Sequence, residues 1–569
     1  MDFGDPRRRV AAAVRCHPLQ SPEVSQPPDL AEQGRHPRRN IDLIAWMAVV
    51  ATGFVILERQ NSPRTFYFDD WAIVLYRRSN GVHTWLDPHN GHLLLIPVAA
   101  YRLLMALFGL NHYRPYRFVG LGTHVFVATV IYRYVRARQS AATGLCAGAV
   151  MLFLGSGWED IFQPFNMGNM AAVGFGVLVW LALDRRKQRT DVVASLVIGA
   201  SLACGGVALS FLLGTIARLA IAREWRRLAL VVVPPTALYA VWYLAFGQRQ
   251  GSLDNLHLLP RYVADEAASS VGGLFGRDLL WGRIGIGILI GLAIAAALRL
   301  IARLQTIGIT AGSAIPMIAA PTVSLVANWT LTGYSRADLG EPGSSRYVYV
   351  GAALIILVLA EILRVHNTCA AASTVVAVSL LSVWGNWYAL HQGPIGMRDQ
   401  SSVSRVELRA VEWASATVSP DFRADDQRLP GVRAGLYLPA VAEFHSPAAT
   451  DGEVEATASS FGAEVDRVSL EAGRFAAVPA DRVSACAFTG AAGSIAVRAG
   501  DSIVVTAGVD PVEVRLVRYA PTAPVEPQAS IAPGQTATLT LPMDTAPRQE
   551  WRVGLRSSAA FDVCGPSTG

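Results

Sequence analysis

Hydrophobic positions in this chain fall in long blocks rather than short alternating runs. A membrane-crossing helix needs about 20 mostly apolar residues. Eleven blocks approach that length: 41–58, 117–135, 140–156, 168–184, 190–205, 207–222, 227–246, 281–301, 310–330, 347–364 and 370–390. Within 190–222 only "ACGG" (203–206) separates two halves. After residue 390 the pattern turns soluble. "SVSRVELRAVEWASATV" (402–418) has the helical spacing of an amphipathic segment, stopped near Pro420. Beyond about residue 450 apolar positions alternate in "SIAVRAG", "DSIVVTAG", "VEVRLVRYA", "TATLTLP" and "EWRVGLRS", separated by Gly, Pro and Asp. That spacing predicts a small β-sandwich. The expected fold is mainly α, a polytopic membrane protein with a C-terminal extracytoplasmic β-sandwich-like domain. Its parts are a disordered cytoplasmic tail (1–40), a transmembrane domain (41–390), a helical linker (391–450) and a β-rich domain (451–569).

Composition agrees with this class. The chain is 52% hydrophobic and 16% charged, against about 25% charged in soluble proteins. A net charge of +6 needs no nucleic acid partner, because basic residues of membrane proteins collect in cytoplasmic loops. Lys187, in "DRRKQRT", is the only lysine. A Walker A loop requires Gly-Lys-Ser/Thr, so a P-loop ATPase is excluded. HExxH, CxxC and GxGxxG are absent. Residues 1–40, rich in Arg, Pro and Gln, lack the apolar core of a signal peptide.

Arginine placement orients the spans. "RHPRRN" precedes the first, and "YRYVRARQ" (132–139), "DRRKQR" (184–189), "AREWRR" (222–227), "RLIARLQ" (299–305) and "LRVHN" (363–367) follow alternate later ones. With eleven spans and a cytoplasmic N-terminus, all lie in the cytoplasm, as the positive-inside rule requires. The expected location is the plasma membrane, with the C-terminal domain outside. One further run, "LLLIPVAAYRLLMALFGL" (93–110), would invert every later loop if it crossed. Arg102, His112 and Arg114 suit a helix lying along the outer surface instead. The outer loops are then 59–116, 157–167, 247–280 and 331–346.

These loops hold the ionisable residues that call for a reason. "TFYFDDWAIV" (65–74) frames Asp69 and Asp70 with Phe66, Tyr67, Phe68 and Trp71. The acids could cap a helix N-terminus or do chemistry at the membrane interface. The second loop repeats the pattern with Glu159 and Asp160 after Trp158. Both pairs could converge on one divalent cation (Mg or Mn), with Asp70, Glu159 and Asp160 as oxygen ligands, or lie in unrelated solvated loops. His89 and His92, spaced i, i+3, would share a helix face and could bind metal or phosphate; otherwise they are polar residues opening the surface helix. Arg336 and Arg346 break the arginine trend by lying outside, accompanied by Tyr334, Tyr347 and Tyr349. They could bind a phosphate or anchor the chain at the interface. Cys486 in "VSACAF" and Cys564 in "FDVCGP" are the expected disulfide pair of the outer domain.

The acidic motif early in the first outer loop, the surface helix ending "LFGLNHYRPYR", the span ending in Arg-rich sequence and the acidic second loop together resemble the GT-C fold of polytopic glycosyltransferases. The layout is most similar to the protein O-mannosyltransferase and aminoarabinose transferase branches, over residues 40–390. The stretch "GVRAGLYLPAVAEFHSPA" (431–448) resembles actinobacterial membrane proteins of unassigned function. The resemblance implies a polyprenyl-phosphate sugar as donor and an envelope glycan, lipid or protein as acceptor. It implies that Asp69 or Asp70 is the base or a cation ligand, that Glu159 or Asp160 is the second acidic site, and that Arg336 and Arg346 meet the donor phosphate. Tyr347, His89 and His92 would complete the substrate site.

The competing class is a transporter or flippase for lipid-linked glycans, or an envelope scaffold. A transporter would carry ionisable residues inside its spans, and here the acids cluster in loops. A polysaccharide polymerase or ligase would rely on loop arginines more than on an acidic pair.

Overall fold

The computed structural model describes residues 36–60, 65–248, 251–287, 314–363, 369–481 and 488–565. The helices run α1 (His36–Gln60), α2 (Asp70–Tyr76), α3 (Val82–Leu86), α4 (Leu95–Phe108), α5 (Arg114–Arg138), α6 (Ala141–Leu152), α7 (Trp158–Phe162), α8 (Met167–Leu183), α9 (Gln188–Leu202), α10 (Val207–Ile221), α11 (Trp225–Phe246) and α12 (Leu259–Gly273). They continue with α13 (Ala314–Arg336), α14 (Ser345–Ile362), α15 (Cys369–Trp413), α16 (Ala434–Phe444), α17 (Asp451–Ala456) and α18 (Ala458–Ala472).

Among the described residues, seven helices are long and apolar enough to cross a membrane, or eight if the bent pair α6–α7 counts as one span. Eleven were expected. Part of the difference is length: α9 and α10 have 15 residues each, about 22 Å of helix against a hydrocarbon core of about 30 Å. The predicted span 281–301 falls mostly outside the described residues. The run 93–110 forms α4, whose 14 residues are also too few to cross. It lies against the tip of the short α9–α10 hairpin, where the Ile96 amide donates to the Ala203 carbonyl at 3.1 Å.

Burial sorts the long helices. Only 17%, 22% and 11% of the most apolar windows of α1, α11 and α15 are covered by protein, against 72% and 67% for the segments containing α8 and α14. The former present apolar faces outward, and the latter form the centre. The arginine-rich ends meet at one end of the bundle. Arg138 pairs with Glu361 and, at 3.2 Å, with Asp184, which also pairs with Arg218 at 2.8 Å. The loops between α1 and α5, around α7, and between α13 and α14 gather at the opposite end.

α15 continues without a break from its apolar start through the predicted linker to Trp413. Strands begin later than expected: residues 451–456 and 458–472 are helical, and β1 starts at Ala476. The strands are β1 (Ala476–Pro479), β2 (Phe488–Arg498), β3 (Ser502–Thr506), β4 (Val512–Val517), β5 (Ala529–Ile531), β6 (Thr536–Thr540) and β7 (Glu550–Cys564). They form one antiparallel sheet of order β1-β6-β3-β7-β4-β5, with β2 also on β7. The first half of β7 pairs with β4 and its end with β3. One core of Val505, Val514, Leu539, Trp551, Val553 and Phe561 is thus shared by both flanks. Cys564 closes β7, and its expected partner Cys486 lies outside the described residues.

The C-terminal part is docked on the first loop. Trp71 meets Tyr437 edge-on at 6.0 Å, Tyr76 Oη donates to the Gly431 carbonyl at 2.8 Å, and Arg78 pairs with Glu443 at 3.2 Å. The Leu110 amide donates to the Phe444 carbonyl at 2.7 Å.

Candidate functional site

Phe66 is buried edge-on against Trp71, Tyr113 and Tyr116, with centroids 5.0–5.4 Å away. That packing anchors the strip before the acids. Phe68 then takes φ +44°, a left-handed conformation that costs a bulky residue about 1–3 kcal/mol. Past this kink the two carboxylates part company. Asp69 stands at the N-cap of α2 and Asp70 in its first turn, where the capping alternative puts them, but Asp69 makes no side-chain capping bond.

Asp70 is fully buried. Its Oδ1 accepts from Tyr101 Oη and from the Phe165 amide at 3.0 Å; its Oδ2 accepts from the Tyr67 amide at 2.9 Å and Tyr113 Oη at 3.2 Å. Burial pushes its carboxyl up to about 6, although these hydrogen bonds oppose the shift. One side chain therefore ties α2 to α4, to the residue preceding α5 and to the second loop. Of the two acids offered for the chemistry, Asp70 is the internal tie and Asp69 is the one that reaches solvent.

Asp69 is about one-third exposed and lies 3.6 Å from His89 Nε2, an ion-pair distance rather than a hydrogen bond. Burial opposes its ionisation. The His89 contact and the charges of Arg346 and Arg336 outweigh that and hold the carboxyl below its usual range. His89 and His92 do not share a helix face. They flank a two-residue Asn90-Gly91 turn with φ +47° and +73° and exchange backbone hydrogen bonds at 3.0 Å, the Asn-Gly hairpin turn that suits two consecutive positive φ values. The turn aims His89 at Asp69 and Phe165. His92 packs against Gly206, where an added Cβ would come within 2.4 Å of its ring. Burial, with Arg336 and His89, pushes His92 down to about 4.

The second loop needs close backbone approach. A Cβ on Gly155 would sit 2.0 Å from the Asn386 carbonyl oxygen, and one on Gly157 2.7 Å from the Tyr349 ring. This seats α7 between α14 and α15. The Glu159 amide donates to Ser345 Oγ at 3.1 Å, and Ser344 Oγ donates to the Glu159 carboxylate at 3.5 Å. Asp160 is buried with both carboxylate oxygens unpaired.

Arg336 ends α13, and Arg346 opens α14, 5.4 Å over the Tyr347 ring. Glu159, Asp69 and Asp160 are the carboxylates whose charge reaches Arg346. Neither arginine forms an ion pair with a carboxylate among the described residues. Arg138, Arg218 and Arg227, at the other end of the bundle, all do.

The predicted residues Asp69, Glu159, Asp160, Arg336, Arg346, Tyr347, His89 and His92 thus lie within electrostatic reach of one another across three loops. Asp70, Glu159 and Asp160 do not fit a divalent cation as one ligand set, because the four donors already occupy the Asp70 oxygens. Among the described residues no group of three His, Cys, Asp or Glu side chains is placed to hold a metal. Sequence reasoning missed Tyr101 and Tyr113, the partners of Asp70. It also missed Tyr262 and Glu266 on α12, although Glu266 inside the small-residue run "ADEAASSVGG" was a visible signal. Glu266 is fully buried, and burial raises its carboxyl to about 9, with Thr332 opposing. Family models, curated proteins and solved structures contain no match to this chain.

Proposed function

We propose that this protein is a plasma-membrane glycosyltransferase that moves a sugar from a polyprenyl phosphate to an acceptor hydroxyl at the outer face. The observation that carries the reading is the pair Arg336 and Arg346. Two half-buried guanidiniums without a carboxylate partner, at the outer ends of two apolar helices, suit a phosphate ester at the membrane surface. The acceptor oxygen attacks the anomeric carbon, the bond from that carbon to the phosphate oxygen breaks, and the arginines hold the departing polyprenyl phosphate. Asp69 is ionised at neutral pH and takes the acceptor's proton as the attacking oxygen becomes acidic. His89 beside it offers the proton an exit. Asp70 positions Asp69 without touching substrate. The resemblance to GT-C enzymes agrees with this assignment. The N-terminus is cytoplasmic in this reading, and the docking of α16 on the first loop supports a C-terminal domain on the same side as the site.

Two variants test it. Arg336→Gln with Arg346→Gln should abolish binding of polyprenyl phosphate to purified protein. Asp69→Asn should keep that binding and lower sugar transfer by about 10²–10⁴-fold. Unchanged lipid-phosphate binding in the double variant, or full transfer by Asp69→Asn, would end the proposal.

A further inference from the structure

The end of the bundle opposite the site carries a second cationic surface, assembled by the fold from two separate loops. α9 and α11 run side by side in the same direction. Asp191, in the first turn of α9, accepts from Arg227, in the first turn of α11, at 2.6 and 2.9 Å. Eight residues further along each helix, a Cβ on Gly199 would lie 3.6 Å from Pro235. Arg227 also donates to the Leu183 carbonyl at 2.9 Å, and Arg186 pairs with Glu224 at 3.4 Å. The loop leading into α9 and the turn leading into α11 are therefore clipped into one surface.

Those clips occupy the acids. Asp184 faces Arg138 and Arg218, Asp191 faces Arg227, and Glu224 is shared by Arg227 and Arg186. Arg185, Arg186, Lys187, Arg189, Arg223 and Arg226 remain exposed. Among the described residues only Arg186 of these has a carboxylate partner. The positive-inside trend explains why basic residues gather at this end. It does not require them to face outward, since the side chains of Arg138 and Arg218 turn in and are 8% and 9% exposed.

Apolar side chains border the cations. Trp225, between Arg223 and Arg226 in the chain, is 61% exposed, and Val192, Val193 and Leu196 are exposed further along α9. α11 shows most of its apolar surface outward, with only 22% of its most apolar window covered by protein. A free anion gains nothing from such a border. A tryptophan at the head of an apolar helix anchors it at the membrane interface. Cations at the ends of outward-facing apolar helices match a headgroup phosphate above its acyl chains.

We infer that this surface binds an anionic phospholipid, its phosphate held by cations of both loops and its acyl chains lying along the outer faces of α9 and α11. The inference does not depend on the glycosyltransferase reading, and its residues lie at the other end of the bundle from Arg336 and Arg346.

The test uses the full chain in detergent, with native mass spectrometry reading which lipid is retained. The probes are dioleoyl phosphatidylglycerol and the zwitterionic dioleoyl phosphatidylethanolamine. The parent should retain the first in preference to the second. Combining Lys187→Gln, Arg189→Gln, Arg223→Gln and Arg226→Gln leaves the Arg186–Glu224 and Arg227–Asp191 clips in place. Each cation beside an anionic lipid contributes about fivefold to binding, so this variant should bind phosphatidylglycerol at least about a hundredfold more weakly, with thermal unfolding unchanged. Trp225→Ser keeps every charge and should weaken binding several-fold. Arg133→Gln, an exposed cation near the end of α5 and outside the patch, should bind as the parent does. The inference is overturned if both lipids are retained equally or if the four-fold variant binds phosphatidylglycerol as the parent does. It is also overturned if inorganic phosphate displaces the lipid while Trp225→Ser has no effect, which would make this a site for free phosphate. The Arg336→Gln, Arg346→Gln protein should retain phosphatidylglycerol, so failure of the outer phosphate site and failure of this one can be told apart.

Discussion

Replacing Asp70 by asparagine should change how stability depends on pH more than it changes catalysis. The buried carboxyl has a folded-state value of about 6 against 3.8 for the free group. Native protein therefore holds this proton more tightly than unfolded chain. The associated stability is fully present below 3.8 and is lost as pH rises through about 6. At about 1.4 kcal/mol per pH unit, the loss is about 3 kcal/mol. His92 acts with the opposite sign. Its folded value of about 4 lies below the 6.5 of the free imidazole, so its contribution is present above 6.5 and lost as pH falls through about 4, again by about 3 kcal/mol. In the parent the two slopes nearly cancel between pH 4 and 6.5.

Asp70→Asn removes one slope and exposes the other. The asparagine oxygen can serve Tyr101 Oη and the Phe165 amide, and Tyr113 Oη can turn to accept from the new amide. The Tyr67 amide then has no acceptor, at about 1–3 kcal/mol. The variant should be less stable than the parent at pH 4–5 and should approach it above pH 7, where the parent carries the cost of a buried charge. Thermal unfolding of detergent-solubilised protein from pH 4 to 8, with His92→Asn as the mirror-image control, reads this directly. Transfer by the folded variant at pH 7.5 should stay within about tenfold of the parent, far from the loss of about 10²–10⁴ expected for a lost general base. A hundredfold loss of transfer, with a stability–pH curve parallel to the parent's, would refute the reasoning and return Asp70 to the chemistry.

Arg518 and Asp544 form a bidentate pair at 2.8–2.9 Å, with side chains 0% and 1% exposed; Asp544→Asn should cost about 3–5 kcal/mol and speed amide exchange in β4 and β7, and unchanged exchange would count against it. Gly109 has φ +65°, and a Cβ there would sit 2.6 Å from the Phe444 carbonyl oxygen; Gly109→Ala should loosen α16 and make 434–445 sensitive to protease, whereas full resistance would show that the docking tolerates the side chain. Non-reducing mass spectrometry of protein from native membranes should find Cys486 linked to Cys564; two free thiols would remove the bridge.

The membrane class was legible because hydropathy acts block by block. The number of spans was not, because α10 is an apolar helix that differs from a span in length, and α9, equally short, opens on the polar Gln188, Arg189, Thr190 and Asp191. The separate fates of Asp69 and Asp70 were invisible: adjacent identical residues are told apart here by the positive φ of Phe68, a residue type that gives no warning of it. The Asn-Gly pair between His89 and His92 was a readable turn signal, and the i, i+3 helical reading passed over it. Arg336 and Arg346 were readable as exceptions to the charge trend. The delayed start of the sheet was less so, since α18 carries its apolar residues Val465, Val468 and Leu470 in a stretch too short to outweigh the alternation that follows.

The clamp between the first loop and α16 also sets a schedule. Tyr76 and Gly431 are 355 residues apart, so at about 5–20 residues per second the ribosome needs roughly 20–70 s to supply the second after the first. Throughout that interval Trp71, Tyr76 and Arg78 wait without the partners that finally cover them. The tie around Asp70 draws on nothing beyond Phe165 and can close early. The nascent chain can therefore assemble the interior of its site first, and it acquires the cover only once α16 has been made.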